Sequence, residues 1–405
     1  MVCDYSLEYM GGAQSVFVDE AELFGSSGDD VLVIAPRPRR LQPPPAPGST
    51  VFIAASGTIP GVGLPIIRNT RRLRAHLRRV FEERRIEVVH VHSEFGLTAA
   101  ATVVAHDLGI PVVHTVHTFF WQGPHLGRLD RAAAALVRGM ARMLRGEAPA
   151  VQASASRELD RALRSITLAA AMSADAVVSP SAHQAVALRE DGAKGVVVVP
   201  NPMRTVRTAG VPLRSVDGPL RIVWVGRIAR EKRVLEFLEA VVRAGGELSP
   251  HALDVTVVGE GPELAAARDI ARDASPDRGC VIRFTGRVDR DEVERLIGQS
   301  HLVALTSFGF DNQPVVVVEA FAAARSVFYV DPRLQEGLSE AGILSESPDV
   351  EGMARTLIDV ARDPRIVVER SALTVPASRQ FLPEVHVQAV RDVWTSAASA
   401  ATART

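Results

Sequence analysis

Arg227 and Lys232 stand five residues apart in Gly226-Arg-Ile-Ala-Arg-Glu-Lys232, directly behind the β-branched run Arg221–Val225. In a parallel sheet the ligand crevice lies at the C-terminal strand ends. Two cations there suit a nucleotide pyrophosphate, and they stabilise the charge that grows as it leaves. The chain has only two lysines, Lys194 and Lys232, so a lysine in this place points to a specific role. The plainer explanation is a solvated basic turn. It sits poorly with the helix that follows, because cations oppose the dipole at a helix N-terminus.

A second constellation is Phe308-Gly-Phe-Asp-Asn-Gln-Pro-Val-Val-Val-Val-Glu319, behind the run Leu302–Leu305. Pro314 suits the first turn of a helix. Asp311 then stands just before that helix, as a functional carboxylate or as its capping residue. Glu319 falls about a turn and a half inside, beside an apolar valine face. The amides near Gln313 and Val315 form a phosphate cradle at the helix start. Gly11-Gly12-Ala13-Gln14 has the same logic at the start of the chain: glycines let backbone approach a ligand, and a helix N-terminus follows. An ordinary strand-to-helix turn would read the same way.

Histidines cluster in His90-Val-His92 and His114-Thr-Val-His117. Alternate residues share a strand face, so a metal site is conceivable, but no Cys or acidic residue has ligand spacing nearby, which argues against zinc. The reading is that His117 lines the site and the others are packed or surface residues.

These positions need strands to carry them. Val31–Ala35, Val51–Ala54, Glu87–Val91, Pro111–Val116, Ala176–Ser179 and Gly195–Val199 lack polar alternation, as parallel strands buried on both faces do. Helical stretches separate them: Ala13–Phe24, Arg68–Arg85, Thr98–Leu108 and Arg131–Arg145. Pro36–Gly48 is a loop, and 124–173 is mostly helical. The alternation breaks at Pro200-Asn201-Pro202, a hinge, and resumes with strands at Arg221–Val225, Asp254–Val258, Val281–Phe284, Leu302–Leu305 and Ser326–Val330. The second series has helices at Val234–Ala244, Glu263–Ala274, Arg290–Ser300 and Pro314–Ala324. Such alternation specifies doubly wound α/β domains. Residues 1–201 form the first and 202–382 the second, with a last helix in 383–405 packing back on the first.

With 405 residues, two domains are expected. A net charge of −1 excludes the basic surplus of a nucleic-acid binder. Two cysteines far apart argue against a disulfide framework and fit a reducing compartment. No signal segment or long apolar run is visible, so a cytoplasmic protein is expected, peripheral on the inner face of the cell membrane if it meets one. Two segments bear on that. In Arg68–Arg85, Leu73, Leu77, Val80 and Phe81 share one helical face and Arg68, Arg71, Arg72, Arg74, Arg78 and Arg79 the other. Arg138–Arg145 repeats the pattern with Arg138, Arg142 and Arg145. Basic amphipathic helices can lie on anionic membrane, though an ordinary helix with its apolar face in the core looks the same.

Taken in order, these motifs resemble the retaining GT-B glycosyltransferases of family four. The resemblance also rests on Val88-Val-His-Val-His-Ser93, Ser179-Pro-Ser181, Val199-Pro-Asn-Pro202 and Val258-Gly-Glu-Gly261, and it spans nearly the whole chain. It implies a GT-B fold, with two Rossmann-like domains facing across a cleft, the first on the acceptor side and the second binding the donor. It implies hexosyl transfer from GDP-mannose or a UDP-sugar to a lipid-linked or envelope glycan acceptor, with no obligatory cofactor or metal. Gly11 and Gly12 would offer backbone to the donor phosphate or sugar, and His117 would sit by the sugar. Arg227 and Lys232 would hold the pyrophosphate, Asp311 would contact the transferred sugar, Glu319 would bind the ribose, and Arg287 and Val288 would meet the base. The chain departs from the pattern in three places. Asp311 replaces the family's first Glu, Ala324-Arg325-Ser326 stands where a Gly-x-Pro turn is usual, and the first strand is clipped. A nucleotide-sugar epimerase on the same fold and a non-catalytic nucleotide-sugar binder are the alternatives.

Overall fold

The computed structural model describes residues 1–8, 11–38, 49–59, 63–204 and 210–402. The chain divides into two compact units, Met1–Pro202 with Pro383–Thr405, and Met203–Leu382. Most of the loop expected at Pro36–Gly48 lies outside the described residues.

The first unit is built on parallel strands Leu32–Pro36, Ser49–Ile53, Val89–Val91, Val112–Thr115, Ala176–Ser179 and Val196–Val198. The clipped first strand is reduced to Val2, which bridges Ile34 on one side and Val91 on the other. Valine-rich strands with both faces covered need no polar alternation, and four of these six strands are buried throughout. Leu73, Leu77 and Phe81 of the helix Arg71–Glu83 enter the core with Leu97 and Val104 of the helix Gly96–Asp107. The apolar side of this basic helix is therefore already occupied. The final helix, Pro383–Thr402, packs Val387, Val390 and Val393 against Val113 and Val178, and its Trp394 lies 4.6 Å from Phe24.

The second unit has six parallel strands in the spatial order Ile343–Leu344, Ser326–Tyr329, Leu302–Leu305, Leu220–Val225, Leu253–Val258, Cys280–Gly286. Its first strand, Leu220–Val225, therefore lies beside its fourth, Leu302–Leu305. That is a topological switch point, where loops leave in opposite directions and open a crevice at the carboxyl ends. One face of the sheet is covered by the helices Val234–Gly245 and Val350–Arg362 around Trp224, Phe237 and Phe328. The other carries the cluster of Val303, Val317, Phe321 and Phe381.

Several boundaries differ from expectation. Glu263 precedes its helix, which runs Leu264–Ala271. Pro314 is the extended residue before the helix Val315–Ala322 rather than part of its first turn. The strand Ile343–Leu344 and the helices Val350–Arg362 and Arg365–Ala377 were not anticipated. The strand is two residues long, and Pro376 inside the last helix breaks its sequence pattern.

Candidate active site

At the switch point of the second unit, Lys232 Nζ donates to both carboxylate oxygens of Asp311, at 2.6 and 2.9 Å. The two residues come from the loops behind the first and fourth strands. Each loop is braced from below. Thr306 Oγ1 accepts from the indole of buried Trp224 at 3.0 Å and donates to the Lys232 carbonyl at 2.7 Å. Ser307 donates to Asp311, and the Phe310 ring lies 5.3 Å from Lys232 Nζ. The Asp311 carboxylate is thus engaged by Lys232 and Ser307. The residue before the helix is Pro314, three positions further on.

An ammonium has three hydrogens. Asp311 accepts two, so a third is left to aim elsewhere. Arg227 stands exposed on the same loop. The helix Val315–Ala322 begins four residues past Asp311; Gln313 stands just before it, Val315 opens it and Glu319 lies a little over one turn inside. Glu319 is half-buried, and Arg290 Nε stands 4.0 Å from its Oε1. Arg287 and Val288 follow the strand Cys280–Gly286 two places along the sheet, with Arg287 exposed and Val288 packed on the core.

The Val258-Gly-Glu-Gly261 motif has a packing explanation. Gly226 N–H donates to the Val258 carbonyl and Ile228 N–H to that of Glu260, both at 3.0 Å. A Cβ at Gly259 or Gly261 would collide with the carbonyls of Gly226 and Ile228, and Gly259 has a φ of +133°. These glycines let two loops lie backbone to backbone beside Arg227.

In the first unit, Gly11 precedes the helix Gly12–Ser26, and both glycines are exposed. His92 and His117 meet side by side, Nδ1 of His92 3.0 Å from Nε2 of His117. Gln184 donates to the Val116 carbonyl and accepts from Ser179, which fixes the backbone next to His117. This is the use of Ser179-Pro-Ser181. Burial holds the imidazoles well below their ordinary value: His90 and His114 at about 3, His117 at about 4. They are neutral bases, not cations, near pH 7.

The acidic partner that sequence spacing did not reveal is Glu20. It is buried in the helix Gly12–Ser26, with Oε1 3.1 Å from His386 Nε2 and Oε2 3.6 Å from His92 Nε2. Glu20, His90 and His92 bring possible ligand atoms within 4.8 Å of one another, so the objection to a metal from missing acidic residues does not stand. Another replaces it for His90: its Nε2 is 2.7 Å from Thr115 Oγ1, and its Nδ1 accepts from the Trp394 indole at 3.3 Å. Arg145 also needs correction. It is buried and donates to the Glu94 carbonyl at 2.5 Å, so it belongs to the core and not to a basic face.

Two family models match the chain in tandem, Glycosyltransferase Family 4 over residues 10–207 and Glycosyl transferases group 1 over residues 219–363. The chain belongs to the GT-B glycosyltransferases. A phosphatidyl-myo-inositol mannosyltransferase of Mycolicibacterium smegmatis is 23% identical over 381 residues, 90% of this chain and 85% of that protein. Among solved structures, Anabaena HepE in complex with UDP superposes with a TM-score of 0.65 at 14% identity, covering 98% of this chain and 99% of that one. Sucrose-phosphate synthase from Thermosynechococcus elongatus superposes with 0.66 at 15% identity, over 98% of each chain. This glycosyltransferase thus has the two parallel-sheet α/β domains of GT-B enzymes, and its substrate is a nucleotide sugar. Among its described residues no helix is long and apolar enough to cross a membrane.

Proposed function

We propose that the enzyme transfers a hexose, with retention, from a nucleotide-diphosphate sugar to a lipid-linked or envelope glycan acceptor. The observation that carries the reading is the Lys232–Asp311 pair at the switch point of the second unit. It places a cation and a carboxylate side by side, one suited to the leaving diphosphate and the other to hydroxyls of the transferred sugar. Arg227, Lys232 and the N-terminus of the helix Val315–Ala322 stabilise the diphosphate as its bond to the anomeric carbon breaks. That much positive charge makes a metal dispensable. The acceptor hydroxyl attacks from the face the diphosphate leaves, and a departing phosphate oxygen takes its proton. Glu319 accepts from the ribose. The UDP bound to the solved neighbour supports a UDP-sugar donor, and the relative named a mannosyltransferase supports a mannose donor such as GDP-mannose.

The mannosyltransferase relative, whose name contains a phosphatidylinositol, also supports a lipid acceptor. Leu129 and Leu136 are exposed at the start of the helix Asp130–Arg145, flanked by Arg128, Arg131 and Arg138. That surface offers both apolar and cationic contact to an anionic bilayer. The exposed arginines of Arg71–Glu83 add charge alone.

A donor panel read by thermal shift identifies the nucleotide, because a bound ligand raises apparent stability by mass action. Proton NMR of the product then gives its anomeric configuration. Lys232→Ala and Arg227→Ala are each expected to lower kcat/KM for the donor about 10- to 100-fold, the loss of one charge-assisted hydrogen bond. Unchanged turnover in both variants, or an inverted product, would refute the reading. An altered free sugar nucleotide formed without acceptor would make the enzyme an epimerase.

A further inference from the structure

The second unit holds a buried carboxylate that no step above uses. Asp331 stands two residues past the strand Ser326–Tyr329 and is 2% exposed. That strand runs parallel to its neighbour Leu302–Leu305, so the loops behind both leave at the same end of the sheet. The second of these loops carries Asp311. Asp331 reaches across to it, and its Oδ2 accepts from the Gly309 N–H at 2.8 Å. Gly309 turns the loop there with a φ of +73°. Arg333 grips the residue before it, with its guanidinium 5.6 Å from the Phe308 ring.

Asp331 has no capacity left for a ligand. A carboxylate offers about four lone-pair sites. Oδ2 takes Gly309 and also Arg333 Nη2, the latter at 2.7 Å. Oδ1 takes Arg333 Nε at 2.9 Å and the Arg333 backbone N–H at 3.1 Å. Burial by itself would raise this carboxyl, but the hydrogen bonds from Arg333 and Gly309 outweigh burial and hold it below its ordinary value. Asp331 is therefore ionised and fully paired. Its own loop is firmly seated. The Leu334 N–H donates to the Asp331 carbonyl at 3.1 Å, and Leu334 and Leu338 pack with Val317 and Phe321 in the core. Beyond Gly309 only Phe310 precedes Asp311, which meets Lys232 and Ser307. A shift of the Gly309 peptide is thus passed on to Asp311.

We infer that Asp331 is a positioning residue for the transfer. It fixes, through the Gly309 N–H, where Asp311 stands beside Lys232. This rests on the proposed role of Asp311 at the transferred sugar. It adds a second carboxylate, from the next strand end, that touches no substrate and sets the one that does. Arg333 neutralises Asp331, so the anchor brings no net negative charge to the end of the sheet where a diphosphate binds.

Asp331→Asn removes the same charge as Asp331→Ala but keeps an oxygen that can accept from Gly309, so the pair separates the hydrogen bond from the charge. Asp331→Ala is expected to lower kcat about ten- to a hundredfold, as a misplaced group does, with Asp331→Asn within about threefold of the wild type. Added to Asp311→Asn, Asp331→Ala should lower kcat less than about twofold further, because a residue acting through another then has nothing to act on. Equal losses in the Ala and Asn variants, or losses that multiply in the double variant, would overturn the inference. The chain's two lysines give a reading without turnover. In protein labelled with nitrogen-15 at lysine Nζ, Asp331→Ala should move the Lys232 signal in the same direction as Asp311→Asn does. Asp331→Asn should leave it in place, and Lys194 should not move in any variant. An unmoved Lys232 signal in Asp331→Ala would overturn the inference. So would a Gly309 amide that exchanges its hydrogen in the wild type as fast as an exposed loop amide, a result that needs no variant to fold. Because the lysine signal is read without turnover, a failure to detect transfer with any donor bears on the proposed function alone.

Discussion

Neutralising Asp311 separates binding of the nucleotide from transfer of the sugar. In Asp311→Asn the amide oxygen can still accept from Lys232, so the loop keeps its geometry and loses only a charge. That charge stands beside the cation that a diphosphate would approach. A unit charge about 5 Å from a phosphate costs about 3 kcal/mol at an effective dielectric near 20. Lys232 and Asp311 are 26% and 13% exposed, and with salt this falls to about 1–2 kcal/mol. Free UDP or GDP should therefore bind Asp311→Asn about five- to thirtyfold more tightly than the wild type. Transfer should fall about tenfold or more, because a hydroxyl loses a charged acceptor. Calorimetric titration at two salt concentrations reads the first effect, which should shrink as salt rises. Weaker nucleotide binding in Asp311→Asn would refute the reasoning. Asp311 would then act by holding Lys232 in place.

Three further outcomes follow from contacts elsewhere. Thr306→Val removes the hydroxyl that joins the Trp224 indole to the Lys232 carbonyl, and leaves a buried N–H unsatisfied. A loss of about 1–3 kcal/mol in urea unfolding is expected, together with a higher KM for the donor. Ala324 adopts a φ of +54° at the position where the family has glycine, so Ala324→Gly should stabilise the protein by about 1 kcal/mol, seen as a higher urea midpoint. Burial pushes Glu94 up to about 8 from 4.5, against the hydrogen bond from Tyr5. The folded state then holds a proton that the unfolded state releases, so this stability is present below about pH 4.5 and is lost as pH rises to about 8. Urea midpoints near pH 5 and pH 8 should converge in Glu94→Gln; an undiminished difference would assign the slope to another group.

The alternation of strands and helices was legible because parallel strands buried on both faces are written as short apolar runs. Thus Ala176–Ser179 and Leu302–Leu305 match their expected bounds residue for residue. Ile343–Leu344 was not legible, because two residues cannot show a period. Lys232 could be singled out by composition, as one of two lysines, yet nothing local distinguished Asp311 as its partner from Asp311 as a helix cap. Arg145 looked like one more surface arginine. Its burial comes from the Glu94 carbonyl, 51 residues away in the chain.

By itself the sequence determined the two α/β units, the strand ends where ligands must arrive, and the family to which the motifs belong. Each of these depends on patterns within a few turns of chain. Only the tertiary structure decided how the charges are shared. Asp311 meets Lys232 across 79 residues, and Glu20 meets His386 across the whole first unit. The reason is physical: a buried ion is stable only beside its counter-charge or hydrogen-bond partner. In a doubly wound fold those partners come from neighbouring strand ends, whose order in space is not their order in the chain.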